Sequence, residues 1–301
     1  MTRNSWKIRR LSAALGAEVT GVNLATADAG EAAEIRDLLH ENMVLFFPGQ
    51  HLNADQHVAF GRHFGALEGH PNLKERNAKE HPEIFRLAAS EGGIADEWHT
   101  DLTFLEHPAL MSILNMKTCP EVGGDTMWTN LIAAYEGLSP PLQELCDGLS
   151  ALHDAHPHDR ADRMHIHPLV RIDPETGKKA LYVNEHFTRR IVEMNAQESD
   201  MFLAYLTKWV QQPPFTVRYQ WTPGTIGMWD NRFTQHYVVN DFTGERVIER
   251  VTVMGDTIQG NNPRWPAYTE HAKRSAMTRH DRQLIRHMDA KQLQGSGIGA
   301  A

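Results

Sequence analysis

Two residues with metal-binding side chains, His99 and Asp101, lie two positions apart in the segment WHTD. On a β-strand, alternate side chains share a face, so both groups can bind neighbouring positions on one metal ion. His236, much later in the segment WDNRFTQH, is the best candidate for a third ligand. Two imidazoles and one carboxylate on one face of iron(II) leave positions open for substrate and oxygen. The alternative is a chance His–Asp pair that is hydrogen-bonded or lies at the surface.

A pair of arginines in the segment ERVIERVTV favours the metal interpretation. Arg246 and Arg250 are four residues apart, so both face the same side of a strand. If that side is the interior, each buried guanidinium needs an anion. Arginine binds carboxylates and sulfonates with paired hydrogen bonds, so the pair predicts two anion sites. The alternative is an exposed edge strand with both arginines in solvent.

The surrounding sequence predicts a mainly β fold with peripheral helices. Helical periodicity spans Asp28 to Glu41, and Asn53 caps a second helix that continues to about Phe64. Two further helical segments lie near 140–148 and 197–211. Clusters of Pro, Gly and Asn separate the candidate strands, which are 43–47, 84–87, 97–104, 111–117, 125–129, 167–172, 180–183, 215–221, 225–230 and 246–254.

Many short strands with few helices are typical of a sandwich or jelly roll rather than of a regular βαβ alternation. The chain contains no glycine-rich phosphate-binding motif, which removes support for nucleotide binding. Beyond Asp256 the sequence becomes polar. We expect loops near 260–266, helical tendency over 275–293 and a disordered end.

The amino-acid composition limits the classes of binding partner. The 301 residues include 30 Lys and Arg against 38 Asp and Glu, for a net charge of −8, which disfavours nucleic acid. No apolar run is long enough to span a membrane, so we expect no membrane association. Two cysteines cannot form a disulfide framework, and we expect a cytoplasmic protein. The 18 histidines are many for this length, so their organisation matters.

Several other signals have ordinary interpretations. The histidine-rich segment from His153 to His167 is irregularly spaced and is expected to be mostly loop rather than a zinc site. His57 and His63 are expected at the surface or in capping positions. Arg189 and Arg190 are expected in a solvated turn. The tryptophans that flank the motifs are expected to pack in the core; they are Trp98, Trp128 and Trp229.

The motifs in combination resemble a known family. The matching segments are LGAEVTGVNL, VLFFPGQ, WHTDLTF, GGDTMWTN, AAYEGLS, HPLVRIDPETGKKALYVNEHFTRRI, WDNRFTQH and RVIERVTVMGD. Between about residues 10 and 256 the chain resembles the TauD/TfdA-like family of iron(II)- and 2-oxoglutarate-dependent dioxygenases. The resemblance implies a double-stranded β-helix (jelly roll) core. It also implies a dioxygenase domain over 1–256, followed by a C-terminal extension over 257–301.

The resemblance also implies a role for each matching residue. Iron would be bound by His99, Asp101 and His236. The distal carboxylate of 2-oxoglutarate would contact Arg246 and Thr126. The anionic head of the substrate would contact Arg250 and His70, with Phe187 as a pocket wall. With O2, such an enzyme forms succinate and CO2 from 2-oxoglutarate and hydroxylates the substrate.

Two departures from the family pattern bear on the substrate. Taurine enzymes have Asn four residues before the first iron-binding His and Tyr three residues after the pocket His, whereas this chain has Ala95 and Leu73. Losing two polar contacts favours a substrate with a larger apolar part. Candidates are a longer alkylsulfonate, an alkyl sulfate ester or an aryloxyalkanoate.

Other outcomes stay open at this point. A desaturase or a hydroxylase of an amino-acid derivative could use the same scaffold, and a jelly roll that only binds a metal or ligand is a third hypothesis. We expect a small anionic organic substrate as the partner, and a homo-oligomer remains open.

Overall fold

Short strands dominate the fold. The computed structural model describes residues 6–269 of the chain. Its strands are β1 (Lys7–Arg10), β2 (Ala17–Thr20), β3 (Val44–Phe47), β4 (Leu67–Glu68), β5 (Ile84–Ala88), β6 (Ala109–Thr118), β7 (Thr126–Asn130), β8 (Ser150–Ala155), β9 (Arg160–Pro168), β10 (Val170–Ile172), β11 (Lys179–Leu181), β12 (Thr188–Ile191), β13 (Thr216–Tyr219), β14 (Ile226–Asp230), β15 (Thr234–Val238) and β16 (Val247–Met254). Its α-helices are α1 (Ala29–Asn42), α2 (Ala54–Arg62), α3 (Leu131–Glu136), α4 (Pro140–Cys146) and α5 (Ala196–Val210).

Two sheets form the jelly-roll core that the sequence predicts. The larger sheet has eight strands in the order β1-β2-β3-β14-β6-β16-β4, and β5 also pairs with β16. The smaller sheet has the order β13-β7-β15. Side chains from both sheets, including Phe46, Trp128 and Trp229, pack into one apolar cluster and are almost fully buried. Burying such large rings stabilises the fold and fixes the strands that carry the candidate site.

The histidine-rich segment is not a loop, which corrects the sequence-based prediction. β8 and β9 form an antiparallel hairpin, and a 3-10 turn at His156–His158 connects the two strands. His153 and His167 are buried in this hairpin. The irregular spacing of the histidines hid the hairpin, because a β-bulge shifts the register between Asp154 and Ala155.

The predicted solvated turn at Arg189 and Arg190 is also wrong. Both residues are in β12, which pairs with β8, and Arg190 is buried. The Arg189 Nε donates to Asp154 Oδ1 at 2.9 Å. A carboxylate on the neighbouring strand therefore compensates the charge of Arg189, and local sequence cannot show that partner.

The predicted strand over 97–104 does not form. His99 makes a single bridge to His236, and the chain then turns at Asp101, with Leu102 in the left-handed region at φ 58°. The Thr100 hydroxyl donates to Thr234 O at 2.7 Å. Contacts to β15, distant in sequence, therefore set the path of this segment instead of a regular ladder.

Helix α2 begins where the sequence predicts, but one of its histidines is not at the surface. Asn53 caps the helix through its side chain and forms a capping box with Gln56. His63 is exposed as expected, whereas His57 is fully buried. The His57 Nε2 lies 3.0 Å from Ile113 O, and because a carbonyl only accepts, the ring N–H donates to it.

The buried His57 predicts a loss of stability in mild acid. Burial lowers the pKa of His57 to about 4, although the bond to Ile113 opposes this shift. The ring takes up a proton near pH 6.5 in the unfolded chain. The contribution of the neutral ring to the free energy of unfolding is therefore fully present above that pH, and it falls as the pH drops toward 4. Between pH 7 and 5, the free energy of unfolding of the wild type should fall by about 2 kcal/mol more than that of His57→Gln, which keeps an N–H donor but does not titrate.

Urea unfolding at the two pH values measures this difference. His63→Gln is the matched control, because His63 is exposed near the end of the same helix and its replacement should leave the pH dependence of stability unchanged. Equal losses of stability in the wild type and His57→Gln would contradict the assignment.

Beyond β16, residues 257–269 run along the domain without helix or strand. The Arg264 N–H donates to Gly148 O at 2.8 Å, and the Tyr268 N–H donates to Val192 O at 2.9 Å. The predicted helix over 275–293 and the predicted disordered end lie outside the described residues. Between residues 6 and 269, no helix has the length and apolarity needed to cross a bilayer.

Candidate active site

Three side chains with metal-binding atoms meet inside the jelly roll. His236 is on β15, and its backbone exchanges two hydrogen bonds with His99, at 3.1 and 2.8 Å. Asp101 follows in the turn. One ligand atom from each residue lies within 4.8 Å of the others, and all three residues are buried. Within residues 6–269, no other group of three such side chains is arranged this way.

Neighbouring groups orient the two imidazoles. The His99 Nδ1 lies 2.7 Å from Glu97 O, and a carbonyl only accepts, so Nδ1 carries the proton and Nε2 keeps a free lone pair. The His236 ring packs against Trp128 and Trp229, with centroids 6.4 and 4.7 Å away. Its buried Nδ1 has no hydrogen-bond partner among the described residues. Both tryptophans are core residues, as predicted, and they also hold this ring in place.

A chain of hydrogen bonds fixes the carboxylate of Asp101. The Ser112 hydroxyl on β6 donates to Asp101 Oδ2 at 2.7 Å. The Asn231 amide donates to Ser112 Oγ at 3.0 Å, and Asn231 Oδ1 accepts from Trp229 Nε1 at 3.0 Å. Three side chains from β6 and the end of β14 therefore hold Asp101 in one orientation.

The protonation states of the three groups suit a metal ion. Burial lowers the pKa of His236 to about 4 and that of His99 well below its ordinary value. Burial opposes ionisation of Asp101, but Arg250 and the two histidines together hold the pKa of this carboxyl well below its usual range. At neutral pH the site offers two neutral imidazoles and one carboxylate, the forms that bind metals. This donor set fits Fe(II).

Arg246 is a buried cation without a carboxylate partner. Its Nε donates to Gly124 O at 3.1 Å and its Nη2 donates to Thr126 Oγ1 at 3.2 Å. In the described part of the chain, no carboxylate forms an ion pair with it. Burial lowers the pKa of Arg246 to about 10, so it is still charged at neutral pH. Thr126 Oγ1 also accepts from Trp221 Nε1 at 2.9 Å, so its own hydroxyl proton is free to donate.

Arg250 lies beside the metal-binding group. Its Nη1 donates to Asp101 Oδ1 at 2.5 Å, and both side chains are buried. Its guanidinium carbon lies 5.3 Å from the centre of the Phe85 ring. The two arginines thus face the interior together, as their spacing predicts, and the exposed edge strand is wrong. Arg250 neutralises Asp101 here, and an incoming anion would compete for the same guanidinium.

A cavity of about 330 Å³ joins all these groups. The triad, Thr126, Arg246 and Arg250 line it together with His70, Leu73, Ala95 and Phe187. Every site residue named from the sequence therefore borders one space. Leu73 and Ala95 give part of its wall an apolar character.

A family model described as "Taurine catabolism dioxygenase TauD, TfdA family" matches residues 7–252, most of the chain. The chain belongs to the TauD/TfdA family. It is therefore a 2-oxoglutarate-dependent dioxygenase, and its cofactors are Fe(II), 2-oxoglutarate and O2.

Two curated relatives match the chain at similar levels of identity and coverage. An alkylsulfatase of Acinetobacter baylyi is 35% identical over 84% of this chain and 86% of its own length. An alpha-ketoglutarate-dependent sulfate ester dioxygenase of Pseudomonas putida is 35% identical over 82% of this chain and 88% of its own length. The crystal structure of a taurine dioxygenase from Burkholderia xenovorans covers 87% of this chain and 95% of that chain at 38% identity, with a TM-score of 0.78.

Sequence reasoning missed four residues of this TauD/TfdA site. Ser112 and Asn231 support Asp101, but a single Ser in β6 gives no local signal. Asn231 lies inside the WDNRFTQH segment, where its position between Trp229 and His236 could have drawn notice. His158 lines the cavity from the segment predicted to be mostly loop, and His186 lines it from beside Phe187, where the sequence predicts no role for it.

Removing the Ser112 hydroxyl should weaken metal binding. Groups that orient a metal ligand typically contribute about 10- to 100-fold to affinity, so we expect a loss of that size for Ser112→Ala. Competition with a chelator, followed by the metal content of the protein, measures it without turnover. Ser139→Ala is the matched control, because Ser139 is exposed and its side chain makes no capping hydrogen bond. Equal metal affinity in both variants would contradict the role of Ser112.

Proposed function

We propose that the enzyme hydroxylates a small anionic substrate whose apolar part is larger than that of taurine, and releases succinate and CO2. The observation that carries the proposal is the cavity wall. Leu73 and Ala95 border it, at positions where taurine enzymes have hydrogen-bonding side chains. A wall of this kind gains binding free energy from apolar area rather than from polar contacts.

In this proposal the iron is bound by His99, Asp101 and His236. Their donor atoms already lie close together, so little rearrangement is needed to bind one ion. When bound, Fe(II) supplies the activation of O2 that the side chains cannot supply. The contribution of the protein is to hold these ligands, through Glu97 O and Ser112, in the orientation the metal requires.

The distal carboxylate of 2-oxoglutarate pairs with Arg246 and Thr126 in this proposal. The guanidinium is buried and lacks a carboxylate of its own, and the Thr126 hydroxyl has a proton to donate. A buried arginine of this kind gains several kcal/mol from an anionic partner, which fixes the co-substrate in one direction.

The anionic head of the substrate binds Arg250, with His70 beside it. Arg250 can exchange Asp101 for the substrate anion once the metal compensates the carboxylate. Phe187 lines the same cavity, with its ring centroid 6.5 Å from that of His99. Holding the anion fixes which carbon faces the metal, and enclosing it excludes water.

The outcome of hydroxylation depends on the carbon attacked. A hydroxyl group placed on the carbon that bears a sulfonate or an ester oxygen gives an unstable product. Its C–S or C–O bond breaks, the hydroxyl proton is lost, and a carbonyl compound and sulfite or sulfate are released. No further oxidant is needed beyond the O2 and 2-oxoglutarate of the enzyme.

A substrate panel tests the proposal. The purified protein is incubated with Fe(II), 2-oxoglutarate, O2 and graded alkylsulfonates, alkyl sulfates or aryloxyalkanoates, and succinate is measured. We expect kcat/KM to rise as the alkyl or aryl part is extended beyond that of taurine. Mass spectrometry separates a gain of oxygen or fragmentation from the loss of two hydrogens that a desaturase gives. Activity that rises as the chain is shortened would overturn the proposal.

A further inference from the structure

The β8–β9 hairpin brings a histidine to the cavity that the proposed function leaves without a role. His158 ends the 3-10 turn at the tip of this hairpin and lines the cavity with Arg250 and His70. The Asp154 Oδ1 accepts from the His156 N–H at 3.1 Å and from Arg189 Nε at 2.9 Å. One carboxylate therefore ties the turn to β12, so the position of His158 is fixed by the fold.

His158 belongs to a continuous wall around the proposed anion site. Its ring centroid lies 4.9 Å from that of His70, with the two rings nearly perpendicular at 76°. The His70 ring packs on Phe85 at 4.8 Å, and the same phenylalanine packs under the Arg250 guanidinium at 5.3 Å. Two imidazoles and one guanidinium are thus neighbours on one side of the cavity.

Both imidazoles keep one proton on Nε2. The His70 Nδ1 accepts from the backbone N–H groups of Asn72 and Leu73, at 3.3 and 3.1 Å. The His158 Nδ1 faces the Asn72 Nδ2 amide at 3.4 Å and accepts from it. Burial lowers the pKa of His70 to about 2 and that of His158 to about 4, so both are neutral at pH 7. Neither Nε2 has an acceptor among the described residues, so each is an available donor.

We propose that His158 determines head-group specificity by donating to a third oxygen of a sulfo group, beside Arg250 and His70. The proposal rests on the proposed function and narrows its substrate to a sulfate ester or sulfonate. A sulfo head has three terminal oxygens, whereas a carboxylate has two. With a carboxylate bound, one N–H donor of the half-buried wall is left without an acceptor, which costs binding free energy. The pocket therefore discriminates against aryloxy and alkyl carboxylates of the same size.

Matched head groups test this inference. KM and kcat are measured for an alkyl sulfate and an alkyl carboxylate of equal chain length. In His158→Phe, which keeps a ring but loses the donor, KM for the sulfate should rise about 10- to 100-fold, the value of a hydrogen bond to a charged acceptor. KM for the carboxylate should change much less, so the preference for sulfate collapses.

A conservative variant separates the donor from the packing. His158→Gln places an amide N–H near the position of Nε2 and should restore the preference to within a few-fold of the wild type. His158→Asn places its amide near Nδ1 instead and should not restore it. His156→Phe is the matched control, since His156 is in the same turn and exposed, and it should behave as the wild type. Thermal melts establish that each variant is folded. If His158→Phe does not fold, comparing His158→Gln with His158→Asn still shows whether the donor sets the preference for sulfate.

The possible results separate this inference from the proposed function. If the wild type prefers sulfate and His158→Phe keeps that preference, His158 has no role in the head group and the proposed function stands. If His158→Phe weakens both substrates equally, its role is packing and the inference is wrong. If the wild type forms no succinate with any of these anions, the proposed function fails, and the inference fails with it.

Discussion

Replacing Arg250 with methionine should lower kcat/KM for the anionic substrate by about 100-fold or more. Removing one partner of a buried, hydrogen-bonded charge pair leaves the other charge unpaired and typically costs about 2–5 kcal/mol. Methionine keeps most of the apolar stem and removes the guanidinium, together with its contact to the Phe85 ring. Succinate formation at graded substrate concentrations measures the effect, and the visible absorption band of iron with 2-oxoglutarate reports whether the metal centre still assembles. We expect the band to persist.

Arg86→Met is the matched control for this result. Arg86 lies on β5 and pairs with Glu91 at 3.0 Å in a partly exposed position, so its loss should leave substrate kinetics unchanged. A band that disappears in Arg250→Met would mean that the arginine holds the metal centre rather than the substrate. Unchanged kcat/KM would remove Arg250 from the anion site.

The same substitution should also destabilise the metal-free protein at neutral pH. Arg250 helps to hold the pKa of Asp101 below its usual range, so the ionised pair contributes stability above about pH 4 and loses it as the pH falls through the folded pKa. Without the arginine, Asp101 is a buried carboxylate with less compensation. Urea unfolding of the metal-free proteins at pH 7 should therefore show a lower free energy of unfolding for Arg250→Met.

The two-residue period of a strand explains why the arginine pair could be predicted. Arg246 directly precedes β16 and Arg250 lies on it, and their side chains point to the same face of the sheet. Both are buried, as a separation of an even number of residues predicts. His99 and Asp101 converge for a different reason. They lie on a bridge followed by a turn with Leu102 at positive φ, a conformation that a leucine in the sequence does not predict.

Other parts of the site depend on contacts that sequence alone cannot reveal. His158 reaches the cavity because β8 and β9 pair, and the bulge between them breaks the alternation that would have indicated a hairpin. His57 did carry a signal, since it lies three residues before Phe60 and four before Gly61, on the buried side of α2. The polarity of histidine favoured a surface position over the buried position that this spacing indicates. The hydrogen bond to the Ile113 carbonyl explains why a histidine is tolerated in the interior.

Replacing Arg246 with methionine should raise the KM for 2-oxoglutarate by about 100-fold or more, with a smaller rise for Arg246→Lys. Arg246 is 4% exposed, and within residues 6–269 its guanidinium has only Gly124 O and the Thr126 hydroxyl as partners, so its charge is available to an incoming carboxylate. Lysine keeps the charge but not the two parallel N–H donors that match a carboxylate, so it should recover only part of the loss. Equilibrium binding of 2-oxoglutarate to the iron-loaded protein without oxygen gives the affinity directly.

The two arginines are distinguished by which ligand loses affinity when each is replaced. Arg246→Met should weaken 2-oxoglutarate at any substrate concentration, whereas Arg250→Met should weaken the substrate and leave 2-oxoglutarate bound. Arg62→Met, which removes an exposed arginine paired with Glu83 at 2.9 Å, should change neither affinity. If Arg250→Met instead weakened 2-oxoglutarate and Arg246→Met weakened the substrate, the assignments would be reversed. The order of the two anion sites along β16 would then have to be exchanged.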